Sequence, residues 1–285
     1  MSSLQRPIGV FDSGVGGLTV LKALRARLPG RDFIYFADTA RVPYGRKPRE
    51  MVTQFANQIT QFLLEKDVRG IVIACNTASA AALPELAERT PVPVWGVIDP
   101  GVEAALRASK SGSVGVIGTQ GAIASGAYQQ RLAAHGLKVW ARACPMFVHV
   151  VEEGLVDSEE AELLAHHYLD DRPGIDTLIL GCTHYPMLRG VLGRVLGPGI
   201  RLVSSDEVTA EVVREALAVS GDFEQCGTLG NKPAGTVLHY VTGDPLAYRH
   251  TAAVIGGTEG KIVALDVTTL AWTADAEEPV AVEGC

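Results

Sequence analysis

Short apolar runs alternate with longer amphipathic stretches along the chain. "IGVF" (8–11), "FIYFA" (33–37), "GIVIA" (70–74) and "VPVWGVI" (92–98) are bounded by turn residues and read as buried strands. Between them, "PREMVTQFANQITQFLLEKD" (48–67) carries Pro48 where a first helical turn would begin. Its apolar residues Met51, Val52, Phe55, Ile59, Phe62 and Leu63 keep to one helical face. Strand–helix alternation of this kind predicts an α/β fold, a mostly parallel sheet flanked by helices.

The pattern then restarts. "SVGVIGTQGAIAS" (113–125) echoes "PIGVFDSGVGGLT" (7–19) 106 residues later, and "DTLILGCTH" (176–184) echoes "RGIVIACNT" (69–77) 107 residues later. The second echo sets Cys182 in register with Cys75. Two related α/β domains follow from it. The first is expected to span residues 1–99 with a return over 206–270, the second residues 100–205, and residues 271–285 read as an acidic C-terminal tail. "SSDEVTAEVVREAL" (204–217) reads as a helix opened by a Ser204/Glu207 capping box, and Pro84 is expected to interrupt or restart the helix begun by "NTASAAAL".

Charge and cysteine usage narrow the partners. The net charge is −7 and lysine and arginine do not cluster with aromatic residues, which argues against nucleic acid. No apolar run approaches the ~18 residues of a membrane helix, and the N-terminus lacks a secretory pattern, so a soluble cytoplasmic protein without membrane contact is expected. Cys75, Cys144, Cys182, Cys226 and Cys285 are odd in number and widely spaced. They suit neither a disulfide framework nor a zinc site, and no metal is expected. Core packing is the reading for Cys144 and Cys226, and an exposed thiol for Cys285.

The chemistry concentrates at strand ends. In parallel sheets ligands gather outside the carboxyl ends of the strands, where both Cys75 and Cys182 fall. Each alone reads as a small buried hydrophobe. Two at matched positions, with Asn76-Thr77 and Thr183-His184 attached, read as functional. "DSGVGGL" (12–18) supplies Asp12, Ser13 and a glycine turn whose backbone N–H groups suit a carboxylate or phosphate; it is neither a dinucleotide fingerprint nor a P-loop. "DTARVPYG" (38–45) reads as a surface loop, and "VVEEGL" (150–155) as a helix end. Paired thiols from pseudo-symmetric halves suit a racemase, which removes a proton from one face of a carbon and returns one to the other. An anionic Asp12 beside Cys75 opposes its ionisation, so Asp12 has to accept a proton or hold a substrate ammonium group.

The stretches "VFDSGVGGLTVL", "YFADTARVPYG", "IACNTASA", "GVIDPG", "VVEEG" and "LGCTHYP" together resemble the glutamate racemases, in order, from about residue 7 to residue 257. The resemblance implies a two-domain α/β fold with the active site in the interdomain cleft. It implies cofactor-independent interconversion of L- and D-glutamate, supplying D-glutamate for peptidoglycan. The paired catalytic cysteines fall on Cys75, acting on D-glutamate, and Cys182, acting on L-glutamate, assisted by Asp12, His184 and Glu152. Substrate contacts fall on Asp12, Ser13, Tyr44, Gly45, Asn76, Thr77, Thr119, Thr183 and His184. Two positions depart from the family's pattern: Gly121 where a second threonine is expected, and His149 where proline is. The expected partner is the small-molecule substrate, glutamate, with a homodimer as the assembly the reading allows. The competing readings are a racemase of aspartate or a hydantoin, a non-catalytic two-domain binder of small anions, and a pyridoxal enzyme, which the lack of a strand-end lysine in these motifs disfavours.

Overall fold

The computed structural model describes residues 6–219, 235–257 and 259–270. The first half runs β1 (Ile8–Asp12), α1 (Leu18–Arg27), β2 (Phe33–Ala37), α2 (Arg49–Glu65), β3 (Gly70–Ile73), α3 (Asn76–Arg89) and β4 (Val94–Gly96). The second runs α4 (Ile98–Ala108), β5 (Ser113–Gly118), α5 (Gln120–Ala124), α6 (Ala127–Ala134), β6 (Lys138–Ala143), α7 (Met146–Glu152), α8 (Glu159–Leu169), β7 (Thr177–Gly181), α9 (Arg189–Leu196) and β8 (Arg201–Ser204). The chain then continues through α10 (Asp206–Val219), β9 (Val237–Val241), α11 (Pro245–Ile255) and β10 (Lys261–Ala264).

Two parallel sheets result. One has the order β10-β9-β2-β1-β3-β4 and the other β6-β5-β7-β8. The run β2-β1-β3-β4 has the same order as β6-β5-β7-β8, so the sequence echo is a true structural repeat. Cys75 and Cys182 follow its equivalent strands β3 and β7. Strands β1, β2, β3 and β7 are buried along their whole length, as strands covered by helices on both faces must be.

Helix α2 buries Val52, Ala56, Ile59 and Leu63, a stripe at helical spacing. Met51, expected on that face, is 41% exposed, whereas Pro48 begins the first turn as the N-cap, its carbonyl accepting the Val52 N–H at 3.2 Å. Helix α3 passes through Pro84 without interruption. Ala81, Ala82 and Leu86 are buried on both sides of the proline, and that packing outweighs a penalty of about 3 kcal/mol. The Ser204/Glu207 capping box is absent. Ser204 ends β8, its hydroxyl accepts from Arg189 Nη2 at 2.7 Å, and the helix starts at Asp206. Cys144 is buried in the core, whereas Cys226, Cys285 and the tail lie outside the described residues. Among the described residues no helix is long and apolar enough to cross a membrane.

Candidate active site

The carboxyl ends of both sheets converge on one cavity of about 150 Å³. It is lined from the first half by Ser13, Gly14, Val42, Pro43, Tyr44, Gly45, Cys75, Asn76 and Thr77. From the second come Thr119, Val148, His149, Glu152, Cys182, Thr183 and His184. Every site residue expected from the sequence is on that surface except Asp12, which lies fully buried behind it. Val42, Pro43, Val148 and His149 are further lining residues. Val42 and Pro43 belong to the stretch "DTARVPYG", and His149 stands where proline is expected.

Cys75 stands immediately before the first turn of α3, and its sulfur accepts the Ala78 N–H at 3.5 Å. Its thiol faces Ser13 Oγ at 3.9 Å. Burial, and next the nearby charge of Asp12, push this thiol up to about 12, while the Ala78 N–H works in the opposite direction. Asp12 Oδ2 accepts the Gly14 N–H at 3.0 Å, while Oδ1 is buried and has no hydrogen-bond partner among the described residues. Burial also raises the Asp12 carboxyl above its ordinary value, against the pull of the His184 charge.

The Cys182 side is built differently. His184 Nδ1 lies 3.8 Å from the Cys182 sulfur, and Nε2 lies 2.9 Å from Glu152 Oε1, so the ring is clamped on both nitrogens. Burial alone would drive the imidazole toward its neutral form. The hydrogen bonds to Cys182 and Glu152 override it and raise His184 to about 10. An imidazolium therefore sits against the second thiol, whereas the first has the Asp12 carboxyl beside it.

The rest of the lining offers hydrogen-bond donors; among the described residues no lysine or arginine belongs to it. Asn76 and Thr77 open α3, where backbone N–H groups have no partner inside the helix and the dipole is positive. The Tyr44 ring does not present its hydroxyl to the cavity, because that group donates to Asp38. Asp38, fully buried, also accepts from Arg41 Nε at 2.7 Å and from Thr242 Oγ1 at 2.9 Å, and so fixes the 38–45 loop. It is a carboxylate that the sequence reading left without a role. Tyr44 and Gly45 open a short 3-10 turn, Tyr44–Arg46, whose first N–H groups lie at its N-terminal end.

The halves are tied across the cleft. Thr77 Oγ1 and Thr119 Oγ1 are 2.8 Å apart, and the Thr19 hydroxyl is shared between the Gly16 carbonyl at 2.9 Å and the Thr183 carbonyl at 3.1 Å. A Cβ on Gly121 would lie 3.1 Å from Thr77 Cγ2 and 3.2 Å from the Gly45 carbonyl. In this chain the tie thus leaves little room for the threonine expected at that position. Among the described residues no group of three or more His, Cys, Asp or Glu is placed to hold a metal ion.

Two thiols are delivered by repeated halves to one small, donor-lined cavity on a two-sheet α/β scaffold. The profile of the Asp/Glu/Hydantoin racemase family matches residues 9–213, and the chain belongs to that family. A glutamate racemase of Thermus thermophilus is 54% identical over 257 residues, covering 90% of this chain and 95% of the relative. The crystal structure of a T. thermophilus glutamate racemase in complex with β-chloro-D-alanine superposes with a TM-score of 0.84. It is 50% identical, over 93% of this chain and 98% of that one. That of a Francisella tularensis glutamate racemase in complex with D-glutamate gives 0.82 at 36% identity, over 93% and 98%.

Proposed function

We propose that the chain is an amino-acid isomerase that interconverts L- and D-glutamate by two opposed cysteine bases and supplies D-glutamate for peptidoglycan in the cytoplasm. The observation that carries this reading is the shared cavity: Cys75 and Cys182 line it from equivalent strand ends of the two sheets.

In the L-to-D direction the Cys182 thiolate, with the His184 imidazolium as counter-ion, takes the α-proton. The Cys75 thiol, held protonated by burial and by Asp12, delivers its proton to the opposite face. The C–H bond broken at one sulfur is replaced by a C–H bond made from the other. The two sulfurs exchange protonation states, and no electron leaves the system. In the reverse direction Cys75 has to ionise. The substrate ammonium offsets the local negative charge, the Cys75 proton passes to Asp12, and the His184 imidazolium gives a proton to Cys182, which delivers it to the opposite face as Cys75 takes the α-proton.

The substrate carboxylates are met by neutral donors, since among the described residues the lining has no lysine or arginine. These are the N–H groups of Tyr44, Gly45, Asn76 and Thr77, the hydroxyls of Ser13, Thr77, Thr119 and Thr183, and the Asn76 amide. Preorganised donors in a dry pocket hold charge without reorganising. Glu152 keeps His184 oriented and charged.

Incubation of the purified protein with L-glutamate in D₂O tests the reading. D-Glutamate carrying deuterium at Cα is expected, and parallel incubations with L-aspartate and a 5-substituted hydantoin should give none. D-Glutamate formed with its original α-hydrogen, or racemisation of aspartate or the hydantoin in preference to glutamate, would overturn it.

A further inference from the structure

Tyr128, in the first turn of α6, lies outside the cavity and is fully buried. Its ring occupies a slot between two glycines. A Cβ on Gly101 would come within 2.9 Å of its hydroxyl, and one on Gly181 within 3.2 Å of its ring. Gly181 is the residue before Cys182. From that slot the hydroxyl crosses to the other half of the molecule and donates to Asn76 Oδ1 at 2.7 Å. Asn76 is the residue after Cys75. A single side chain therefore touches the neighbour of each thiol.

The bond has a consequence for chemistry. An asparagine amide has one acceptor end and one donor end, and only one can face the substrate. With Oδ1 held by Tyr128, the Nδ2 end is left for the cavity, which Asn76 lines. Burial raises the Tyr128 phenol far above its ordinary value, so it keeps the proton it donates. An amide turned the other way would present a carbonyl oxygen to a substrate that carries two carboxylates.

We propose that Tyr128 is a positioning residue that fixes the Asn76 amide with its NH₂ toward a substrate carboxylate, coupling donor orientation to the packing of the two halves. The proposal rests on the glutamate reading above and deepens it. Tyr128 touches no substrate; its hydroxyl also meets the Ser205 side chain, and its effect on the substrate passes through Asn76.

A double-mutant cycle tests it. Tyr128→Phe removes one hydroxyl, and kcat/KM for glutamate should fall by about 3- to 10-fold, mostly in KM, the range that one neutral hydrogen bond supplies. In an Asn76→Ala background the same change should matter by less than about twofold. Equal losses in both backgrounds, or no loss in either, would overturn the proposal. Asn76→Asp keeps an acceptor for Tyr128 but has no NH₂, and its KM should rise by more than about tenfold; an unchanged KM would also overturn it. Calorimetric titration with D-glutamate gives the same cycle on Kd, so the outcome does not depend on turnover. Absence of turnover by the unsubstituted protein would defeat the activity reading and leave the cycle on Kd to decide the role of Tyr128.

Discussion

Gly16, in the turn after the first strand, packs directly against the imidazole of His184 from the other half of the molecule. A Cβ at Gly16 would lie 2.5 Å from both Nδ1 and Cε1 of that ring. Real side chains do not approach so closely, and the ring has no room to yield because Cys182 and Glu152 hold its two nitrogens. Gly16→Ala should displace His184 from Cys182 and lower kcat/KM by on the order of 100-fold, with a stability loss of about 1–3 kcal/mol. Steady-state racemisation and denaturant unfolding of the same preparation check both figures. Activity near that of the unsubstituted protein would show that the contact is not needed.

The His184 clamp also sets a pH dependence. In the unfolded chain the imidazole titrates near 6.5, whereas the folded protein holds its proton up to about 10. Between these values the folded state binds more protons, so stability falls as pH rises. The contribution is complete below about 6.5 and is lost through about 10. Cys75, protonated up to about 12 against an ordinary 9.0, extends the fall at higher pH. Urea midpoints across this range should decline, and His184→Asn should flatten the decline between pH 6.5 and 10. A midpoint that rises with pH would contradict the charged imidazole.

What the sequence made legible was whatever it repeated or spaced regularly. The strands over 33–37 and 70–74 appear almost residue for residue, because runs buried on both faces leave no other reading. The cysteine pair was visible only because Cys182 sits in register with Cys75. Three features were not legible, each for a physical reason. Asp38 is a buried hub that joins Arg41 and Tyr44 of its own loop to Thr242, more than 200 residues away, and only the fold brings that last partner to it. Tyr128 looks like any aromatic residue early in a helix until the packed halves bring Asn76 to it. The glycines of "DSGVGGL" read as a tight turn before a helix, which they form, but their clearance from His184 (Gly16) and from Asp12 and Tyr35 (Gly17) was not visible. Spacing along the chain carries no information about those contacts.

The Asp38 hub separates a tyrosine ring from its hydroxyl. Because Tyr44 donates to Asp38 and not into the cavity, Tyr44→Phe should leave KM for glutamate within about threefold of the original while lowering stability by about 1–2 kcal/mol. Asp38→Ala strips partners from Arg41, Tyr44 and Thr242 together. It should lower stability by about 3–5 kcal/mol and raise KM as well, since the loop carrying the Tyr44 and Gly45 N–H groups loses its anchor. Thermal unfolding and KM for both variants decide the matter. A large KM change in Tyr44→Phe would put the hydroxyl in the substrate site after all.

The two thiols sit in opposite electrostatic settings, and Asp12 is the residue that separates the settings experimentally. Its charge holds the Cys75 proton on, and its unpartnered Oδ1 is available to accept that proton during turnover. Asp12→Asn removes both effects, which push in opposite directions. Alkylation of Cys75 by iodoacetamide, followed in a Cys182→Ser background, should shift to lower pH because the repelling anion is gone. Racemisation by Asp12→Asn with both cysteines present should nonetheless fall by about 10²–10³-fold in kcat, the range of a lost acid–base partner. The single variants Cys75→Ser and Cys182→Ser should each lose racemisation by at least ~10³-fold on the same grounds. If Asp12→Asn instead raised KM and left kcat intact, Asp12 would be a binding group for the substrate ammonium, and Cys75 would need another proton acceptor.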